Sequence, residues 1–462
     1  MNHARLGGTD THDLCRIDIV GDVHGAFGTL LDLLQMLGYR RVGGRWRHPE
    51  ERRLLFLGDY IDRGPRSYEV YRLVRTLCEE EMAFALLGNH ELNAIAFATR
   101  ADGTGLQPHL AWSAATAVLE QGAPPRAGFV RDHRARLDGI GAIPSNIRHH
   151  RATLASMNAH RYSEMVDWFL RLPLWLETDA IRAVHAAWMH DSIELLRRWA
   201  VHFGRREPGV TVARFSDAIA ECTRRAGIAP KPKHEIAMGL MLDRGDGLVF
   251  EGHRIADLLF SALTGIDAPV DPPIRDAEGS VRGSMRLRWY LAGTDGPLRA
   301  RLFMPSDTMA AAAGGALDSP LDAARIAPRV PSPTAGYPTD AKPVFFGHYG
   351  LRHRDPVRPQ RANVACLDYS GYEDGGELVA YRFDGAEASR PLDADRMLSV
   401  PAREQPHPLH AAEPRSEDPR RDRPCDPAEE GSLLDALARS DSKLLRRTAD
   451  ARRKADGPGA PR

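Results

Sequence analysis

Thiols are scarce in this sequence. Five cysteines, Cys15, Cys78, Cys222, Cys366 and Cys425, are spread over 462 residues. Their number is odd and no two form a CxxC pair, which argues against a disulfide framework and against a thiolate-held zinc. Long apolar runs are missing too: no stretch approaches the roughly 18 uninterrupted apolar residues that a membrane helix requires. Met1 to Leu14 is polar, without the apolar segment of a secretory leader. Neither sign of charge is in excess, because 62 basic and 62 acidic residues cancel. Nothing global therefore steers the chain towards nucleic acid or an anionic membrane. Aromatic residues stop at Phe383, and from about Arg390 onward Arg, Asp, Pro and Ala dominate. These absences lead us to expect a cytoplasmic protein that binds neither nucleic acid nor membrane. Its residues 390–462 would form a charged, mostly disordered tail. In that tail only Leu433, Leu434, Leu437, Leu444 and Leu445 are spaced for a short amphipathic helix.

What is present is an ordinary hydrophobic share of 43% and enough length for one large domain with insertions, or for two domains. The first ninety residues alternate between short apolar runs and helical periodicity. Leu14 to Val20, Leu54 to Leu57 and Met82 to Leu87 read as buried strands, each closed by a glycine. Leu30, Leu31, Leu34 and Leu37, and then Val70, Leu73, Val74 and Leu77, supply the intervening helices, and Tyr39 to Arg47 reads as a hairpin. Such alternation predicts a mainly parallel sheet covered on both faces. From about 92 to 178 the chain becomes rich in Ala, His and Arg, which predicts an inserted helical cap. Residues from about 190 to 340 read as a second, mixed insertion, with a surface loop over Ala310 to Tyr337. Ala180 to Val184, Val344 to Phe346, Val364 to Leu367 and Glu377 to Phe383 are the remaining strand candidates.

Three glycine-flanked clusters follow the three early strands: Gly21-Asp22-Val23-His24-Gly25, Gly58-Asp59 through Gly64, and Gly88-Asn89-His90-Glu91. In an open parallel sheet the carboxyl ends of the strands form the crevice where ligands bind. Asp22, His24, Asp59, Asp62, Arg63, Asn89 and His90 should therefore converge on one centre. Capped strand-to-helix turns would explain the glycines and the acids, but not His24, His90 and Arg63 as well. Carboxylate, imidazole and amide oxygen together suit Mn, Fe or Zn. A carboxylate shared by two cations would hold them about 3.5–4 Å apart, a spacing that can clamp a phosphoryl group and activate a bridging hydroxide.

Asp-Val-His-Gly, Gly-Asp-Tyr-Ile-Asp-Arg-Gly and Gly-Asn-His-Glu, in that order, resemble the phosphoprotein-phosphatase branch of the calcineurin-like metallophosphoesterases. That branch also contains bacterial diadenosine-tetraphosphate hydrolases. The resemblance implies a four-layer α/β/β/α sandwich over residues 1–389, with the two insertions, ahead of the tail. It implies two divalent transition-metal ions, manganese first, with iron or zinc as alternatives. Asp22 and His24 would bind the first metal, Asp59 would bridge, and Asn89, His185 and His348 would complete the second. Arg63 would grip the phosphate, and His90, oriented by Asp62, would protonate the leaving oxygen. The implied reaction is hydrolysis of a phosphate monoester or phosphoanhydride without a covalent intermediate. Its substrate would be a phosphorylated protein or a dinucleoside polyphosphate. The rival of a different class is an inactive scaffold of the same fold that binds a partner through its insertion or tail.

Several positions depart from that pattern or have competitors. Ala186-Ala187 stands where the family usually has a glycine soon after the first late histidine. His253, in Glu-Gly-His-Arg, competes with His348, which has the better context of a preceding strand and a closing segment after it. Arg286 and Arg288 are candidates for a second phosphate-binding arginine. His149, His150, His190 and His234 are read as surface or locally hydrogen-bonded residues rather than ligands.

Overall fold

The computed structural model describes residues 16–98, 159–202, 249–275, 281–293, 295–303, 320–327, 329–351, 355–385 and 388–403, with a few further positions, among them His150 and Thr153. The strands that build its core are, in chain order, β1 (Arg16–Val20), β2 (Arg53–Phe56), β3 (Ala83–Ala85), β4 (Trp175–Glu177), β5 (Arg182–Val184), β6 (Val344–Phe346), β7 (Val364–Cys366), β8 (Asp368–Tyr369), β9 (Glu377–Asp384) and β10 (Met397–Pro401). One sheet runs β8-β9-β1-β2-β3, with β10 paired to β9, and the other runs β7-β6-β5-β4. Within the first, β1, β2 and β3 are parallel while β9 runs antiparallel to β1. Within the second, β6 is parallel to β5 and β7, and β4 is antiparallel to β5. The sheets are therefore mixed, not simply parallel.

The period of two along β9 orients the layers. Tyr381 and Phe383 meet Phe345 of β6, with ring centroids 5.0 and 6.1 Å apart, so this face packs on the second sheet. Arg382 points the other way and donates to Asp18 and to the Leu37 carbonyl at the end of α1 (Phe27–Leu37). Helix α1 thus covers the outer face, and α2 (Ser67–Glu79) packs beside it and on β3. Leu30, Leu33, Leu34 and Leu37 of α1 are fully buried, each stabilising by about 1.5–3 kcal/mol relative to exposure. The helix stops at Gly38, whose φ of 100° allows the left-handed C-terminal turn. On the other side, α5 (His190–His202) packs on α6 (Ile255–Thr264), and the Ala262 carbonyl accepts from the Ala186 amide just past β5. Ala186 and Ala187, which replace the expected glycine, are both fully buried against this helix. The result is a two-sheet α/β sandwich with helices on both sides.

Two boundaries differ from expectation. The insertion at about 92–178 is not helical throughout: α3 (Asn89–Ala98) runs into it and α4 (Ala159–Phe169) lies within it, but β4 at its end is an edge strand of the second sheet. The tail does not begin at 390, because β10 adds a strand to β9 and Arg403 pairs with Asp32 of α1. Met397 and Val400 are the buried residues of β10, a strand built without aromatics in a segment whose polar composition hid it. The leucines at 433–445, His149 and His234 lie outside the described residues. Among the described residues no helix is long and apolar enough to cross a membrane.

Candidate metal centre

The carboxyl ends of β1, β2, β3, β5 and β6 deliver Asp22 and His24, Asp59 to Arg63, Asn89 and His90, His185, and His348 to one place. Two groups of donor atoms result, each lying within 4.8 Å of one another: His24, Asp59 and His90, and Asp59, His185 and His348. Asp59 belongs to both. Its Oδ2 lies 3.5 Å from His24 Nε2, and its Oδ1 lies 3.3 Å from His185 Nε2 and accepts from the His90 amide at 3.0 Å. Asn89 Oδ1 lies 3.0 Å from His185 Nε2 and 2.6 Å from His348 Nδ1. Asp22 receives the His348 amide on Oδ2 at 3.0 Å.

The backbone fixes how the imidazoles present themselves. His24 Nδ1 sits 2.9 Å from the Ile61 carbonyl, and His185 Nδ1 sits 2.9 Å from the Leu57 carbonyl. A carbonyl oxygen only accepts, so in both rings Nδ1 carries the hydrogen and Nε2 is the nitrogen that faces Asp59. Histidines that hold a metal are commonly oriented in this way. Glu91 clamps the β2 turn from below: Oε2 accepts from the Asp59 and Gly88 amides, and Oε1 from the Tyr60 amide. Burial and the nearby Asp59 push the Glu91 carboxyl up to about 7.

The electrostatics call for cations. Burial, reinforced by the charges of Asp368 and Asp59, raises Asp22 well above the usual carboxylate range. Burial would raise Asp59 as well, but His185 and His90 hold it well below that range. His24 is driven down by burial and by Arg63, and His348 by burial and by Arg286. Asp22 Oδ1 is buried without a hydrogen-bond partner, and an orphaned carboxylate oxygen in a cluster of imidazoles fits a divalent cation. Two glycines make the approach possible: a Cβ on Gly347 would strike Asp22 Oδ1, and one on Gly88 would strike Asp59 Oδ1.

Around these donors stand the groups expected to handle phosphate. His90 Nδ1 is 2.7 Å from Asp62 Oδ2, and its Nε2 is 3.9 Å from Asp59 Oδ2. Asp59 and Asp62 raise His90 although burial opposes them. Arg63 donates to the Tyr372 hydroxyl, and its guanidinium lies 4.6 Å from the Tyr372 ring centroid. Arg286 donates to His348 Nε2 at 2.9 Å and pairs with Asp267 at 2.8 Å. His253 is elsewhere, with its Nδ1 3.1 Å from the Glu251 carbonyl, so the structure brings His348 and not His253 to the cluster.

Three participants escaped the sequence reading. Tyr372 packs edge-on against His24, with ring centroids 4.6 Å apart, from a loop that carries no motif. Asp368, whose carboxylate accepts from the Gly350 and Ser370 amides, is one of the charges that raise Asp22. His150 is the third, and here the expectation of a surface or locally bonded residue is corrected. It is buried with Nδ1 2.8 Å from Asp62 Oδ1, a partner 88 residues away in the sequence.

Known proteins resemble parts of this chain. Residues 15–212 match the calcineurin-like phosphoesterase family. The bis(5'-nucleosyl)-tetraphosphatase PrpE of Halalkalibacterium halodurans is 45% identical over 75 residues, 16% of this chain and 30% of that protein. Its counterpart in Oceanobacillus iheyensis gives the same identity over the same length. The chain thus spans less than a third of the length of these curated relatives. A solved serine/threonine phosphatase from Saccharomyces cerevisiae aligns at 14% identity over 85% of this chain and 82% of its own, with a TM-score of 0.35.

Proposed function

We propose that this protein is a metal-dependent phosphoesterase that hydrolyses phosphate monoesters or phosphoanhydrides. The observation that carries the reading is Asp59, one carboxylate placed between two sets of nitrogen donors, with Arg63 and the Asp62–His90 pair at the rim. In this reading Asp22, His24 and Asp59 hold one divalent ion, and Asp59, Asn89, His185 and His348 hold the other. Manganese is the first candidate, since the donors are nitrogen and oxygen without thiolate. The ions, when bound, supply Lewis-acid stabilisation of phosphoryl charge and a water nucleophile acidic enough to act near neutral pH.

The chain's own groups do the rest. Arg63 binds two phosphoryl oxygens with its planar fork, a geometry lysine lacks. Tyr372, which accepts from Arg63, keeps its own hydroxyl hydrogen free to turn towards the same phosphate. His90 delivers a proton from Nε2 to the departing oxygen while Asp62 holds Nδ1 and stabilises the charged ring. Arg286, beside His348, is within the same cluster and supplies a second cation. Dinucleoside tetraphosphates head the substrate candidates because a 75-residue stretch of the chain is 45% identical to a bis(5'-nucleosyl)-tetraphosphatase, and phosphoproteins follow.

The purified protein should carry close to two transition-metal ions per chain. With manganese present it should turn over at least one of a dinucleoside tetraphosphate, a phosphoserine peptide and an aryl phosphate. His90→Ala should lower kcat on the order of 10²-fold or more while leaving metal content intact. His348→Ala should lose metal and His253→Ala should not. A folded protein that binds no metal would overturn the reading.

A further inference from the structure

The reaction just proposed leaves a buried histidine unused. Asp62 has two carboxylate oxygens with separate partners: Oδ2 faces His90 Nδ1, and Oδ1 faces His150 Nδ1 and the Thr153 hydroxyl. The Asp62 amide donates to Ser67 Oγ at 3.1 Å and to Thr153 Oγ1 at 2.9 Å. Asp62 itself sits at φ 73°, a conformation that an aspartate does not hold by its own preference. Its orientation depends on what grips it from outside.

His150 is gripped in turn. Its Nε2 lies 2.9 Å from the Tyr162 hydroxyl, the two rings meet edge-to-face, and the Tyr162 hydroxyl donates to the Ala94 carbonyl at 2.9 Å. Ala94 belongs to α3, the helix whose first turn contains Asn89 and His90. The contacts therefore close a ring from His90 to Asp62, His150, Tyr162 and α3, and back to His90. His90, Asp62, His150 and Tyr162 are all buried, so water does not compete for these bonds.

We propose that His150 is a positioning residue for His90, acting through Asp62, and that the inserted segment bearing His150 and Thr153 is thereby part of the reaction machinery. The proposal rests on the phosphoesterase reading of the site. With His150 Nδ1 on Oδ1, the Asp62 carboxylate cannot turn about its Cβ–Cγ bond, and Oδ2 stays aimed at His90. A histidine that merely filled the core of the insertion would leave His90 indifferent to its replacement.

The test compares His150→Phe, which keeps the ring and removes both nitrogens, with His150→Asn, whose amide can donate from about the position of Nδ1. A general acid matters most for a poor leaving group. His150→Phe should therefore lower kcat on phenyl phosphate on the order of 10-fold, lower it less on 2,4-dinitrophenyl phosphate, and leave KM and metal content nearly unchanged. His150→Asn should recover most of the loss. In a His90→Ala background His150→Phe should cost nothing further. An equal loss on both esters, or a full additional loss in that background, would overturn the proposal. One readout is independent of turnover: the low-field proton resonance of His90 Nδ1–H should shift or broaden in His150→Phe, and an unchanged resonance also overturns it. If the wild-type protein hydrolyses neither ester, the resonance alone decides the link, and the phosphoesterase reading fails only if the tetraphosphate and the phosphopeptide are left intact as well. If the phenylalanine variant does not fold, His150→Gln, whose amide lies near the position of Nε2 and keeps the Tyr162 contact without reaching Asp62, carries the same comparison.

Discussion

His24, Asp59, Asp62, Arg63 and His348 all take positive φ, between 47° and 73°. Each costs a non-glycine residue on the order of 1 kcal/mol, and each sits at the turn that aims its side chain inward. At Gly347 and Gly88 a side chain would fill the centre. Gly347, beside Asp22, is the sharpest case, so Gly347→Ala should push Asp22 off its His348 amide and destabilise the fold by about 1–3 kcal/mol. Metal analysis and thermal melting would check this; an alanine variant with full metal content and an unchanged midpoint would show that the space is not needed. Most of these residues were legible in the sequence, because Gly-Asp, Asp-Arg-Gly and Gly-Asn-His each sit immediately after an apolar run. Tyr372 and His150 were not, since each reaches the site across a long sequence separation from a stretch without periodicity or motif.

At the level of elements, β1, β2, β3, β6, β7 and β9 were readable because buried strands are short apolar runs closed by glycine or a turn. The edge elements were harder. In β4 and β10 packing supplies what composition does not, since two or three buried residues on a sheet edge are enough to hold a strand. Glu177 of β4 is what ties that edge down. It pairs with Arg182 of β5 at 2.8 Å and Arg197 of α5 at 2.6 Å, and with Lys342 just before β6 at 3.4 Å. Burial works against its charge, but Arg197 and Arg182 win and bring the carboxyl down to about 2, from 4.5. The folded pKa is the depressed one, so this stabilisation is present above about pH 4.5 and is lost as pH falls towards 2. Glu177→Gln should accordingly lower the urea midpoint at pH 7. Its difference from wild type should shrink through that window, and a difference that stayed constant with pH would remove the ion pairs from the explanation.

The whole molecule is organised around a site whose donors come from Asp22 to His348, on five strands of two sheets. Only the folded chain can bring them together, so any cation they bind must stabilise folding by mass action. At a free concentration one hundred times Kd that amounts to about 2.7 kcal/mol. For a domain of about 390 residues each kcal/mol moves the midpoint by about 1–2 °C, which predicts a drop of a few degrees on chelation and recovery with manganese. The sign of the Asp22 effect sharpens the prediction. Burial and the charges of Asp368 and Asp59 raise its folded pKa, so without a cation its ionised form at pH 7 works against folding. Asp22→Asn keeps an oxygen for the His348 amide and removes that charge. In chelator the variant should melt at or above the wild-type temperature, and in manganese it should melt below it. Melting curves of both proteins in both conditions test this crossing directly. If Asp22→Asn were less stable than wild type in chelator and in manganese alike, the carboxylate would be holding the loops together by itself, and the case for a cation at Asp22 would fail.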